Sequence, residues 1–369
     1  MQSNITTVDV EVILFIKNIQ HRSLSFGKRE GEIDFLFMKI FYAIQATGNG
    51  HISRAMELLP HLQQQGQVDL FLSGANSSLE LDAPIKYRSK GLSLFYTCKG
   101  GLDYFSMFKK ISPLRLRKEV AELPVEKYDL VINDFECITS IACKQKKVPS
   151  VNFGHQASFM SANTPRPTQP SAVGEWVLKN YAKASLYVGL HFKEYDDFIL
   201  PPVIKSEIWN AKPSNQNYVT VYLPSYCDCE IRKFFKQLTA YKFQVFSKEV
   251  KQVTKEGHLT FIPVGKNTFN ESMIHCDAII CGAGFETPAE ALYLNKKIMV
   301  MPIKGQYEQK CNAAALDKLG VKTLTELPEN FHIVFEEWYN TAKPVDITFK
   351  YSSADIIDIM MKKAFAMAV

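Results

Sequence analysis

The chain has 369 residues, 46% hydrophobic and 22% charged, which excludes a disordered chain, a collagen and a small disulfide scaffold and leaves room for two cored domains of roughly 150 residues each. With 43 basic and 38 acidic residues the net charge is +5, too small to argue for a nucleic-acid partner. The eight cysteines form no Cys-x-x-Cys and are expected to be reduced, no apolar run reaches the ~18 residues of a membrane span, and the N-terminus is a poor signal peptide, so the expected location is cytoplasmic.

Residues 1–37 show no clear pattern and read as an N-terminal extension outside the fold, which opens at Met38. KIFYAIQ (39–45) is a short apolar strand, Thr47 to His51 a Gly-rich turn, and 52–66 a helix with Ile52, Met56, Leu59 and Leu62 on one stripe. Strands follow at 68–74, 128–135 and 148–156. Residues 104–118, aromatic, aliphatic and basic, read as a loop plus a solvated helix cut by Pro113, or as peripheral contact with a membrane surface. Residues 157–174 form a loop, a helix follows from Glu175, and 199–216 is the linker. The second half repeats the plan, with strands at 219–225, 241–247, 258–264, 276–282 and 297–303, and helices at 230–238, 288–295 and 309–320. A last apolar helix covers 353–369. This alternation predicts an α/β fold of two facing Rossmann-like domains, 38–198 and 217–345, each with a parallel sheet and with a ligand cleft between their strand ends.

Each half carries a Gly-turn that feeds a helix start, where backbone N–H groups and the helix dipole suit an anion. The first, Gly48-Asn49-Gly50, lacks the third glycine of a dinucleotide fingerprint, since Ser53 stands there, and no P-loop occurs anywhere. The second, Gly282-Ala283-Gly284, runs into Phe285, Glu286, Thr287 and Pro288, with Pro288 well suited to a first helical turn. Its backbone at 284–287 suits a diphosphate, and Glu290 one turn on suits ribose hydroxyls. His51 has the residue type of a base at neutral pH, and His155 is a second candidate; each has a purely structural alternative. Asp134 and Glu136 end a strand beside them, either to orient His51 or an acceptor, or to cap a helix. Cys227 and Cys229 with His275, Cys276 and Cys281 match no common metal spacing, so no metal and no cofactor is expected.

The stretch CGAGFETPAEALYLNKKIMVMPIKGQYEQKCNAAALDKLG resembles the donor-binding region of inverting GT-B glycosyltransferases, nearest to family 28 and related family 1. MKIFYAIQATGNGHISRAMELLPHL resembles the N-terminal Gly-rich turn of the same group. The resemblance implies an acceptor-binding first domain and a nucleotide-sugar-binding second one, with residues 346–369 packing back across the cleft. It implies diphosphate contacts at Gly282, Gly284, Phe285, Glu286, Thr287 and Ser225, ribose at Glu290, donor sugar at Glu308 and Gln309, and a nucleobase near Phe261 and Ile262. Gly48, Asn49 and Gly50 would lie on the acceptor side, with His51 facing the acceptor. The sequence departs in two places: Asn49 interrupts the glycines, and Glu308 stands where the peptidoglycan enzyme has Gln.

The expected activity is metal-independent, inverting transfer of a hexose or N-acetylhexosamine from a nucleotide sugar, a UDP-sugar first, to a glycan, lipid-linked or small-molecule hydroxyl. The catalytic candidates are His51, Asp134 and His155. The rival readings are a nucleotide-sugar epimerase and a non-catalytic nucleotide-sugar-binding homologue.

Overall fold

The computed structural model describes residues 38–46, 48–74, 81–91 and 112–366; the extension at 1–37, Thr47, residues 104–111 of the aromatic-basic segment and 367–369 lie outside them. The first sheet holds β1 (Lys39–Gln45), β2 (Gln67–Ser73), β3 (Ile85–Ser89), β4 (Leu130–Asp134), β5 (Val151–Gly154), β6 (Leu186–Leu190) and β7 (Ile199–Leu200). Its order is β3-β2-β1-β4-β5-β6-β7, and its neighbours run parallel. The second holds β8 (Val219–Tyr222), β9 (Phe243–Ser247), β10 (Thr254–Glu256), β11 (Leu259–Pro263), β12 (Ala278–Gly282), β13 (Lys297–Met301) and β14 (Lys322–Thr323). Its order is β10-β11-β9-β8-β12-β13-β14, antiparallel only between β10 and β11.

The helices are α1 (Asn49–Gln65), α2 (Pro113–Glu122), α3 (Cys137–Lys146), α4 (Ala172–Asn180), α5 (Ser206–Trp209), α6 (Asp228–Phe235), α7 (Lys266–His275), α8 (Glu286–Tyr293), α9 (Tyr307–Lys318), α10 (Phe331–Thr341) and α11 (Ser353–Ala366). Strands such as KIFYAIQ, buried from Ile40 to Gln45, are apolar on both faces because helices cover both sides of a parallel sheet. Among the described residues, no helix is long and apolar enough to cross a membrane.

One hydrophobic core cluster runs through both halves: Ile44, Ile52 and Leu59 belong to it together with Phe285, Ala289, Ile356 and Met360. α11 lies against α1, where Gln65 Nε2 donates to Asp358 Oδ1 at 3.3 Å and Ser353 Oγ donates to Glu57 Oε1 at 2.8 Å.

Three expectations change. Pro113 starts a helix instead of cutting one: its missing N–H falls in the first turn of α2, and Ser112 Oγ accepts from Arg115 N at 3.4 Å. The 199–216 stretch adds β7 to the first sheet and α5 beyond it. The cysteines are not all free, since Cys227 and Cys229 form a disulfide with their Cα atoms 5.3 Å apart; Cys137, Cys143, Cys276, Cys281 and Cys311 are free and buried.

Candidate functional site

Strand order reverses between β1 and β4 in the first sheet and between β8 and β12 in the second. Loops leaving such neighbours diverge to opposite faces and open a crevice at the strand C-termini. The first crevice carries the Gly48–Gly50 turn after β1 and Asp134 at the end of β4; the second carries Ser225 after β8 and Gly282 to Gly284 after β12.

α1 begins at Asn49 behind Gly48, which is extended (φ −165°), and no side chain caps it. α8 begins at Glu286, again without a side-chain cap. The two helix starts meet. A Cβ on Gly50 would stand 2.5 Å from Glu286 Oε2, so the Glu286 carboxylate lies directly on the first turn of α1. Glu286 also forms an ion pair with Arg54, one turn further along α1.

His51 and Arg54 are three apart on α1 and converge on Asp134, which is fully buried. His51 Nδ1 lies 3.0 Å from Asp134 Oδ1. Arg54 Nη2 donates to Asp134 Oδ1 at 2.7 Å and to Oδ2 at 2.9 Å. A carboxylate only accepts, so the hydrogen of His51 sits on Nδ1 and Nε2 keeps its lone pair. Arg54 Nη2 also lies 3.1 Å from His51 Nδ1, and with that N–H committed to Asp134 the contact is between two donors. Gln156 Nε2 approaches His51 Nε2 at 3.5 Å and donates to Glu308 Oε2 at 3.1 Å. Gly154 makes room for the cluster, since a Cβ there would stand 2.6 Å from Asp134 Oδ1.

Burial works against the charge on His51, yet the charge and hydrogen bond of Asp134 outweigh it and raise the His51 pKa above 6.5. Burial likewise opposes ionisation of Asp134, but Arg54 and His51 beside it hold its pKa below the usual value. Burial pushes Glu308 up.

His155 does not join the cluster as a base. It is 1% exposed, Nδ1 lies 2.9 Å from Leu190 O, Nε2 lies 2.7 Å from Asn312 Oδ1, and its ring stacks on Phe285 at 3.9 Å between centroids. Burial drives its pKa down to about 3. With both nitrogens engaged and no access to the cleft, His155 joins the two halves structurally.

On the second half, Gly284 has open space where a Cβ would be, and Gly282 and Thr287 are half-buried. Gln309 Oε1 accepts from Ile303 N at 2.9 Å, which ties down the loop after β13. Ser225 sits half-buried in the turn after β8. Glu290 is 2% exposed and paired with Lys205 Nζ at 3.1 Å; burial pushes its pKa up to about 7. The Phe261 ring is fully buried in the second core and carries the Arg232 guanidinium at 4.4 Å, so any contact made near it comes from its backbone or its neighbours. Ile262, next on β11, is half-buried. Among the described residues, no group of three or more His, Cys, Asp or Glu side chains is arranged to hold a metal ion.

Sequence reading missed Arg54, Gln156 and Lys205. The signal for Arg54 was its spacing from His51, one turn along the same helix face.

A family model described as glycosyl transferase family 1 matches residues 38–334. No curated protein matches at a significant level. Among solved structures, UGT89C1 of Arabidopsis thaliana complexed with UDP superposes with a TM-score of 0.59 at 13% identity, over 89% of this chain and 99% of that one. UGT2 of Phytolacca americana, complexed with UDP-2fluoro-glucose and pterostilbene, gives 0.54 at 12% over 90% and 100%. MurG of Acinetobacter baumannii gives 0.51 at 17% over 88% and 99%. At these identities the likeness is one of fold, two Rossmann-like domains in the GT-B arrangement.

Proposed function

The chain belongs to glycosyl transferase family 1, and from that premise we propose that it moves a hexose or N-acetylhexosamine from a UDP-sugar to a hydroxyl acceptor with inversion, His51 acting as base. The observation that carries this reading is the His51–Asp134 pair, 3.0 Å apart at one crevice and facing the uncapped start of α8 at the other. Asp134 fixes the tautomer and supports the imidazolium, as a buried carboxylate does beside a catalytic histidine. The acceptor oxygen bonds to the anomeric carbon while its proton passes to His51 Nε2. The bond from that carbon to the diphosphate oxygen breaks, and the electron pair leaves with UDP.

Backbone N–H groups at Gly284 to Thr287 meet the charge on the diphosphate at the helix start. Gly282 lets the chain approach the ligand closely, and Ser225 adds a hydroxyl from the other side of the same crevice. Ribose hydroxyls take Glu290 in exchange for Lys205, and the Gln309 amide nitrogen and Glu308 face the donor sugar. UDP itself is suggested by the UDP and UDP-2fluoro-glucose bound to the structurally similar proteins.

Incubation with a panel of UDP-sugars and hydroxyl acceptors, following UDP release, tests the reading. Wild-type enzyme is expected to release UDP with acceptor present and in EDTA, and His51→Ala to be slower by about 10²-fold or more. Near-normal turnover by His51→Ala removes it as base. Conversion of the sugar without UDP release points to an epimerase instead.

A further inference from the structure

The side chain of Glu286 is in an unexpected place. Its backbone belongs to the diphosphate turn, but its carboxylate crosses the cleft, rests on Gly50 and pairs with Arg54. Arg54 is 4% exposed and already donates to both oxygens of Asp134, which in turn holds His51. The result is an unbroken chain of contacts, Glu286–Arg54–Asp134–His51, with its first member on one half and the rest on the other.

We propose that Glu286 is a positioning residue for the transfer reaction, acting through Arg54 on the His51–Asp134 pair, so that the base is completed only by the opposite half. Without Glu286, the guanidinium is compensated by Asp134 alone, and Asp134 has less charge to offer His51. The guanidinium nitrogen 3.1 Å from His51 Nδ1 then weighs against a proton on the ring. With Glu286 in place, Arg54 shares its charge between two carboxylates and Asp134 is released to support the imidazolium. Approach of the donor half therefore strengthens the base at the step that needs it. The charged and titratable groups around His51 are Arg54 on its own helix, Asp134 from β4, Glu286 from α8, Glu308 from α9 and His155 from the segment after β5. Of these, only Glu286 and Glu308 belong to the other half. Tyr42 of β1 lies beneath, buried with its hydroxyl unpartnered, and is coupled electrostatically to Asp134, Arg54 and Glu286.

This inference rests on His51 being the base, and the experiment separates the two. The imidazole signals of the full chain, labelled at histidine, are titrated by NMR; the His51 signal is the one lost in His51→Ala. Glu286→Gln is expected to lower the His51 midpoint by roughly one pH unit, and Glu286→Asp, which keeps the charge, to restore most of it. An unmoved midpoint in Glu286→Gln overturns the proposal even where His51→Ala is inactive. Normal turnover by His51→Ala removes the base reading, and the proposal with it. A purely structural role for Glu286 alters stability in Gln and Asp alike and leaves the midpoint in place.

Discussion

At the residue scale, the proposed chemistry concentrates on Asp134. Its carboxylate is fully buried, yet it serves both the His51 imidazole and the Arg54 guanidinium. Asp134→Asn removes the charge that supports imidazolium and leaves Arg54 half-compensated in a buried site. Turnover is expected to fall by about 10²- to 10⁴-fold, and stability by about 3–5 kcal/mol, read from UDP release and urea unfolding. Loss of activity with an unchanged unfolding midpoint contradicts the buried Arg54 pairing. The pH dependence has a definite sign. His51 must be neutral to accept a proton, and its raised pKa sets the acid limb of kcat/KM above pH 6.5, with activity falling as pH drops through it. A limb below 6.5 contradicts the Asp134 contact.

The contact between His51 and Asp134 was legible in the sequence, because an imidazole in the turn after one strand and a carboxylate at the end of another were read as able to meet. Arg54 was hidden, since an arginine on an amphipathic helix ordinarily snorkels to solvent, and only the fold reveals a carboxylate above and another across the cleft.

At the element scale, α1 and α8 matter as a facing pair of helix starts. Gly50 permits the contact and Gly48 does not enter it, since a Cβ at Gly48 has nothing within 4 Å. Gly50→Ala is expected to dislodge the Glu286 carboxylate and reduce kcat by roughly tenfold, while Gly48→Ala changes kcat far less; a difference of that size corresponds to about 1.4 kcal/mol in the transition state. Equal effects contradict the seating of Glu286 on the first turn of α1. Long, periodic or strongly apolar elements were readable from sequence, as with β1, β12, α1 and α9. α3 was not, because Cys137 to Lys146 mixes β-branched with small residues, although the capping alternative read for Glu136 is what the fold shows: its carboxylate accepts from Ile138 N and Thr139 N. α10 was missed because FHIVFEEWYNT is rich in aromatic and β-branched residues that favour strands when read alone.

At the scale of the whole molecule, the halves are joined by buried contact as well as by the chain. His155 stacks on Phe285, Tyr307 of α9 donates to Glu175 of α4 at 2.8 Å, and α11 returns to α1. α11 buries Ile356, Ile357, Met360 and Met361 in the core that runs through both halves. At about 1.5–3 kcal/mol for each such side chain, deletion of residues 353–369 removes about as much as a domain's whole margin. The truncated chain is expected to lose its cooperative thermal transition, followed by circular dichroism; melting near the full-length temperature contradicts a shared core. The two-sheet plan was legible because strand-turn-helix units repeat along the chain, whereas the seam between the halves, made of side chains distant in sequence, was not.

The central claim is single displacement at the anomeric carbon by a hydroxyl that His51 activates. The most direct measurement is the anomeric configuration of the product, read by the coupling constant of its anomeric proton in NMR, from an α-linked UDP-sugar. The expected product is the β-glycoside; an α-glycoside contradicts single displacement and with it the role given to His51.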